Sequence, residues 1–285
     1  PSTLTAATEV ASMLGLILSM IGVPTVSSQP DSSAAREFVI SIETFARSVP
    51  SENSSITMES NILQNTLPIT LGTDHISNES VLIDIAQCGN ILIGGATKQG
   101  KSHCIHNMIS QLNTLPVPPE MILFDPKRCE FGRYKDRYRV IEDLEDAKRV
   151  LFEELFENEI IGKRWSSDKD RSPLVIIIDE LLDLIFMHKS KSSKYVSDRN
   201  RYEAIIKILD IGPELNIFTI ISTQSSDKDI LTKKILDNCQ TRLAFRTINA
   251  QDSRRILKKP GAEDLLGRVE AILYQKGNCR KIQCP

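Results

Sequence analysis

The stretch "GATKQGKS", Gly95 to Ser102, constrains this chain more than any other part of it. Its glycines, lysine and serine stand in G-x-x-x-x-G-K-[ST] spacing, with the apolar run "ILIGG" before them and a helical pattern from Lys101 towards Leu112 after them. A strand that ends in glycine and turns directly into a helix presents a ring of inward-facing backbone N–H groups, which suits polyphosphate oxygens. The helix N-terminus adds free donors and the positive end of its dipole. Gly95, Ala96, Thr97, Lys98, Gln99, Gly100, Lys101, Ser102 and His103 are therefore the expected contacts for ATP. Lys101 is expected to reach the β- and γ-phosphates, and Ser102 to offer its hydroxyl to Mg²⁺.

The rest of the chain supplies a frame for such a loop. Short apolar runs recur in "MILFD", "LVIIIDE", "IFTIISTQ", "RLAF" and "AILY", separated by amphipathic segments. Continuous β-branched runs between helices mean strands buried on both faces, which predicts an α/β fold with a mostly parallel central sheet. Helices are expected from Lys101 towards Leu112, from Asp143 to Trp165 and from Arg201 to Ile211. In the second, Leu144, Ala147, Val150, Leu151, Leu155 and Ile160 form an apolar stripe. Asp179 closes the strand "LVIII" at the sheet edge where ligands bind in open α/β folds, and is expected to hold Mg²⁺ through water or together with Ser102. Glu180, the next residue, is placed to act as general base on an attacking water. Gln224 ends the strand "IFTIISTQ"; it suits a γ-phosphate sensor or a water-orienting residue, and Thr-Gln at a strand end is equally an ordinary turn.

Composition narrows the class without deciding it. The 285 residues leave room for one large or two modest domains. A hydrophobic content of 41% and a charged content of 25% are ordinary for a globular protein. The formal net charge of −2 argues against a uniformly basic nucleic-acid coat and leaves room for a local basic patch. Cys88, Cys104, Cys129, Cys239, Cys279 and Cys284 show neither CxxC pairing nor zinc-ligand spacing, so they read as reduced thiols of a cytoplasmic protein.

Val10 to Pro30 carries no charge, but Pro24, Ser27, Ser28, Gln29 and Pro30 erode its second half, and a membrane span needs about 20 predominantly apolar residues. A buried helix ending near Gly22 is expected there. No Lys or Arg opens the chain as a signal peptide requires. With the Ser-rich stretches around "EFVISIETFA", residues 1–66 read as a small helix-plus-strand subdomain and residues 67–285 as the nucleotide-binding domain. A chain that begins with Pro is expected to be a piece of a longer one.

From Leu67 to Tyr274 the sequence resembles the motor domain of the FtsK/SpoIIIE DNA translocases. The resemblance rests on "LPITLGTDHISNESVLIDIAQCGNILIGGATKQGKSHCIHNMISQL", "MILFDPKRCEF", "IIIDELLDLIF", "FTIISTQ" and "TRLAFRTINAQDSRRILKKPGAEDLLGRVEAILY", in that order. "IGVPTVSSQPDSSAAREFVISI" is faintly similar to the start of the family's preceding α subdomain, here reduced. The resemblance implies a RecA-like P-loop ATPase core, a homo-oligomeric ring, usually a hexamer, with ATP at the subunit boundaries, double-stranded DNA in the pore, and work such as chromosome partition. It implies membrane attachment only through segments outside this chain. Lys101, Ser102, Asp179, Glu180 and Gln224 would act on the subunit's own nucleotide. Arg242 or Arg254, at the family's Thr-Arg and Asp-Ser-Arg positions, would serve the neighbour's. Asp125 and Lys127 fall on its Asp-Pro-Lys, where Asp125 would touch the nucleotide's water shell or clamp Lys127.

Two basic loops qualify for backbone contact with DNA: His188 to Arg201, with Lys189, Lys191 and Lys194, and Ser225 to Lys234, with Lys228, Lys233 and Lys234. Two departures stand out. Lys98 and Gln99 replace Gly-Ser in the cradle, and Ser225 and Ser226 replace an Arg-Pro pair. Related ATPases of type VII protein secretion, conjugation and phage DNA packaging share the core, and "GAEDLLG" favours the DNA branch.

Overall fold

Aliphatic runs four to seven residues long set the centre of the molecule. The structure, a computed structural model, describes residues 66–151, 153, 155, 164, 172–187, 196, 197 and 199–285. The helix and strand expected in residues 1–65, and Lys189, Lys191 and Lys194, lie outside the described residues.

In chain order the elements are β1 (Pro68–Asp74), β2 (Ser80–Asp84), α1 (Ile85–Cys88), β3 (Ile91–Gly94), α2 (Lys101–Asn113), β4 (Glu120–Phe124), β5 (Arg139–Ile141), α3 (Leu144–Arg149), β6 (Leu174–Ile178), α4 (Leu181–Ile185), β7 (Phe186–Met187), β8 (Val196–Ser197), α5 (Arg199–Ile211), β9 (Ile217–Thr223), α6 (Lys233–Asn238), β10 (Thr241–Phe245), α7 (Ala250–Leu257), β11 (Glu270–Gln275) and β12 (Asn278–Gln283). The described strands form a ten-stranded sheet in the order β2-β1-β12-β11-β10-β3-β9-β6-β4-β5, beside a small β7-β8 pair.

Burial explains how the sheet divides. From β10 to β5 all neighbours are parallel. Within this part β3, β6, β9 and β10 are buried at every position, as the unbroken apolar runs demand. From β10 outward through β11, β12 and β1 to β2 every pairing is antiparallel. There buried and half-buried or exposed positions alternate, so only one face is covered. Of this antiparallel wing only β11 is announced by an apolar run, "AILY", and it pairs antiparallel where a parallel strand is expected.

Successive side chains on a strand point to opposite faces, so the sheet separates two apolar clusters. Ile91 and Ile93 join α2 residues Cys104, Ile105, Met108 and Ile109 on one face. Leu92 and Ile176 join Ile205 and Ile208 of α5, Ile235 of α6 and Ile256 of α7 on the other. The start of β3 is fixed by Asn90, which is buried. Its amide donates to the carbonyls of Leu209 at 2.7 Å and Asn238 at 3.2 Å and accepts from the Thr219 N–H at 3.1 Å, tying β3 to β9, α5 and α6.

That arrangement makes a crevice. The chain leaves β3 through α2 onto one face and leaves β9 through α6 onto the other. β3 and β9 are adjacent and parallel, so their C-terminal ends open between diverging connections. In α/β sheets such a divergence is where ligands bind.

Candidate nucleotide site

The glycine-rich loop follows β3 at this crevice. Gly95 has φ 143° and Gly100 φ 113°, backbone that L side chains rarely adopt. A Cβ at Gly95 would meet the Phe245 Cβ at 2.8 Å, and one at Gly100 the Val269 Cγ1 at 2.8 Å. Both glycines are thus required by φ and by packing. The Ala96 N–H donates to the Arg246 carbonyl at 2.8 Å, and the Val269 N–H to the Gln99 carbonyl at 3.1 Å, so the loop is held from β10 and β11. The N-terminus of α2 has no side-chain cap. Its first-turn N–H groups, which have no intrahelical acceptor, are therefore not taken up by a cap, and such groups suit an anion.

Lys101 is buried, and its Nζ donates to the carbonyls of Gly95 at 2.6 Å and Ala96 at 2.8 Å. Burial pulls its pKa down to about 8, against the opposing pull of Glu180 and Asp179, whose carboxylates lie nearby. The ammonium thus sits inside the loop, on the carbonyls of its first two residues. Ser102 is half-buried; Thr97, Lys98 and His103 are exposed. Lys98, at φ 62°, takes a left-handed turn where the family pattern has glycine.

Asp179 and Glu180 stand where β6 ends. Burial and the negative charges of Glu130, Asp125 and Glu180 raise the Asp179 pKa to about 7, opposed by Lys127. Glu180 is only 2% exposed and fully engaged. Its Oε1 accepts from the Thr223 hydroxyl at 2.9 Å and the Leu182 N–H at 3.3 Å, and its Oε2 from the Gln224 N–H at 3.0 Å. Burial raises its pKa while these donors oppose the rise. Gln224 is exposed, and its Oε1 accepts from the Thr97 hydroxyl at 2.6 Å, closing a bridge from the β9 end to the loop after β3. An uncapped helix start, a reachable ammonium, a half-buried hydroxyl and a carboxylate destabilised by neighbouring negative charge form a donor set that fits Mg-nucleotide.

Two expectations need correction. Arg242 is fully buried: Nε donates to the Cys239 carbonyl at 2.8 Å, Nη1 to the Ile256 carbonyl at 2.9 Å, and Nη2 to the Leu236 carbonyl. Its guanidinium lies 5.2 Å from the Tyr274 ring centroid. Held this way, at the floor of the cleft that Arg254 also lines, it joins α6 and α7 to the sheet and has its guanidinium taken up within its own chain. Arg254, by contrast, is exposed on α7, in a cleft with Lys228, Lys233, Arg255, Lys258 and one carboxylate, Asp237. Lys234 is exposed outside that lining.

Asp125 does not clamp Lys127, and its carboxylate is taken up by backbone. It is fully buried and accepts from the N–H groups of Cys129, Glu130 and Phe131 at 2.8–3.1 Å, folding the turn after β4. Lys127 instead pairs with Asp183 of α4 at 2.8 Å.

Thr223, Glu130 and Val269 were not singled out from the sequence. Thr223 carries its own signal as the last residue of "IFTIIST"; the proximity of Glu130 and Val269 depends on distant elements.

Comparison with known proteins agrees with this geometry. The FtsK/SpoIIIE family profile matches residues 58–157. The chain belongs to the FtsK/SpoIIIE family. The DNA translocase FtsK of Chlorobaculum tepidum is 32% identical over 251 residues, covering 77% of this chain and 30% of that protein. The DNA translocase FtsK of Streptomyces avermitilis is 29% identical over 242 residues, covering 73% of this chain and 26% of that protein. The chain therefore spans less than a third of the length of these FtsK relatives.

Among solved structures, the pCW3 conjugation coupling protein TcpA, in its monomer form with ATPγS, superposes with a TM-score of 0.64 at 20% identity, covering 76% of this chain and 65% of that one. The cytoplasmic domain of the Thermomonospora curvata type VII secretion ATPase EccC gives 0.62 at 20% identity, covering 78% and 29%. At such identities the likeness is one of fold, and the fold is that of the P-loop ATPases.

Proposed function

We propose that this chain is the motor portion of a DNA translocase. It hydrolyses Mg-ATP at the subunit boundaries of a ring, taken as a hexamer, and draws duplex DNA through the pore by contacts to the phosphate backbone. The observation that supports this reading is the meeting of Lys101, Asp179, Glu180 and the Thr97–Gln224 hydrogen bond at one crevice of a P-loop sheet. The name DNA translocase, carried by its FtsK relatives, supplies the substrate.

In this reading the first-turn amides of α2 and Lys101 bind the phosphates, and Lys101 exchanges two carbonyl partners for phosphate oxygens. Ser102 and Asp179 would hold Mg²⁺, which would supply positive charge against the phosphates. Glu180 takes the proton of the attacking water once it exchanges a donor for that water. Gln224, tied to Thr97, orients the water or reports the γ-phosphate. Arg254 stabilises the charge developing at the neighbour's nucleotide. Lys228, Lys233 and Lys234, with Lys189, Lys191 and Lys194 of the other loop, meet DNA phosphates irrespective of sequence. No described helix is long and apolar enough to cross a membrane. We place the motor in the cytoplasm, with any membrane attachment made by segments outside this chain.

The test is the steady-state ATPase rate with and without long duplex DNA across a salt series. Strong stimulation that weakens as salt rises is expected, with the apparent affinity for DNA falling at a logarithmic slope of about −0.9 per phosphate contact. A rate indifferent to DNA in an assembled protein overturns the DNA substrate and favours a protein substrate. Lys101→Ala should abolish nucleotide binding or turnover.

A further inference from the structure

The Glu180 carboxylate is bound to the start of a loop that a side-chain hydrogen bond ties to α7, the helix bearing Arg254. The Thr223 hydroxyl has one proton and two acceptors: Glu180 Oε1 at 2.9 Å and the Ser225 carbonyl at 3.1 Å. The same oxygen accepts from the Ser225 N–H at 3.1 Å, and the Ser225 hydroxyl accepts from the Asp227 N–H at 3.2 Å. One residue on, the Ser226 hydroxyl bonds to Asp252 Oδ1 in the first turn of α7. Asp252 is itself anchored there, its N–H donating to the Asn249 side chain at 2.9 Å. Arg254 follows two residues later and is exposed. Two sets of hydrogen bonds, joined by the peptide link from Ser225 to Ser226, therefore run from the carboxylate after β6, through the end of β9, to the first turn of α7.

We infer that Thr223, Ser226 and Asp252 are positioning residues that set the angle of α7, and with it Arg254, according to what Glu180 is bonded to. The inference rests on the proposed roles of Glu180 and Arg254. When Glu180 turns to a water at the γ-phosphate it releases Thr223, whose proton then goes wholly to the Ser225 carbonyl. That tightens the turn at residues 223–225 and shifts the loop on which Ser226 holds α7. No bond to nucleotide is involved at Thr223, Ser226 or Asp252, so the effect falls on rate and not on affinity. The Ser226 link belongs to this chain: the family pattern has Pro at that position, and Pro offers no hydroxyl. The departure at Ser226 thus provides a tether to α7.

A double-mutant cycle on the whole chain tests this, with kcat, KM, nucleotide affinity and thermal midpoint read for each protein. Ser226→Ala should lower kcat by about five- to 150-fold, the usual span of coupling between sites. KM, the affinity for a fluorescent ATP analogue and the midpoint should stay unchanged, and Ser226→Thr, which keeps the hydroxyl, should restore the rate. In an Arg254→Ala background the same Ser226→Ala substitution should have no further effect, because residues in one path do not add. An equal loss in both backgrounds, or no loss in the first, overturns the relay. If Arg254→Ala leaves kcat unchanged, the proposed role of Arg254 fails instead, and the relay falls with it. Amide exchange gives a reading without turnover: a slowly hydrolysed ATP analogue with Mg²⁺ should alter exchange at residues 250–253 in the parent protein and not in Ser226→Ala. Equal responses in both overturn the relay.

Discussion

Arg242 and Arg254 are equivalent as sequence positions, and replacing each in turn separates a core residue from one proposed to act on a neighbour's nucleotide. Arg242→Met keeps an unbranched apolar stem of similar length and removes a guanidinium that serves three carbonyls and a tyrosine face. Each buried carbonyl left without a donor costs about 1–3 kcal/mol, and desolvating the cation already disfavours it, as its lowered pKa records. Taking the lower figure for each carbonyl, because relief of that desolvation offsets part of the loss, gives a destabilisation of about 3 kcal/mol. For a domain of this size that lowers the melting midpoint by about 6–12 °C. Arg242→Lys should fall nearly as far, since a single ammonium cannot serve three separate carbonyls in one plane. Arg254→Ala, at an exposed site, should change the midpoint by less than about 2 °C while lowering the ATPase rate of the assembled protein by 10³-fold or more. Thermal melts and steady-state rates on the same preparations decide the matter. An Arg242→Met protein with an unchanged midpoint and a lost rate would refute the assignment.

Three further outcomes follow from the site. Glu180→Gln keeps the acceptor for Thr223 and removes the charge, so it should bind nucleotide and hydrolyse it poorly; a parental rate removes Glu180 from the chemistry. Asp179, with a folded pKa of about 7, holds its proton longer than the unfolded chain does. The stability this gives is present below about pH 4 and lost as pH rises towards 7. Asp179→Asn should therefore melt higher than the parent at pH 8 and alike at pH 4, with Mg²⁺ narrowing the gap at pH 8; equal midpoints throughout contradict the shift. Val269, at φ 62°, is a β-branched residue in the left-handed region, where strain is about 1–3 kcal/mol. Val269→Gly should raise the midpoint by about 2–4 °C after the greater chain entropy of glycine is subtracted, and a lower midpoint would show that its contact with the glycine-rich loop outweighs the strain.

What the sequence made legible follows from how local each feature is. The glycine-rich loop is legible because its φ values, its missing cap and its lysine all act within eight residues. The parallel strands are legible because burial on both faces forces unbroken apolar runs. β1, β2 and β12 are not, because a strand covered on one face needs only alternate apolar residues, and "PITLGTD" and "NCRKIQ" carry weak versions of that pattern. Arg242 defeats sequence reading for a related reason. Its acceptors come from residues 236, 239 and 256, so its burial is decided by how α6 and α7 dock on β10, which no pattern around "QTRLAF" contains.

The same distinction explains how the site is built. The groups proposed to touch phosphate lie in one continuous segment, Gly95 to Ser102, and its geometry comes with it. Those proposed to act on water lie at the ends of β6 and β9, and they meet that segment only because β3, β9 and β6 are consecutive in the sheet. Binding therefore depends on local conformation, while chemistry depends on sheet order. A substitution in the loop should act mainly on affinity. One at Glu180, Thr223 or Gln224 should act mainly on rate, because those three residues hold one another through hydrogen bonds that span 43 and 44 positions of chain. Such a division makes rate the quantity most open to control, and in the relay we infer the loop from Ser225 to Lys234, continuous with β9 and bonded to α7, is where that control enters.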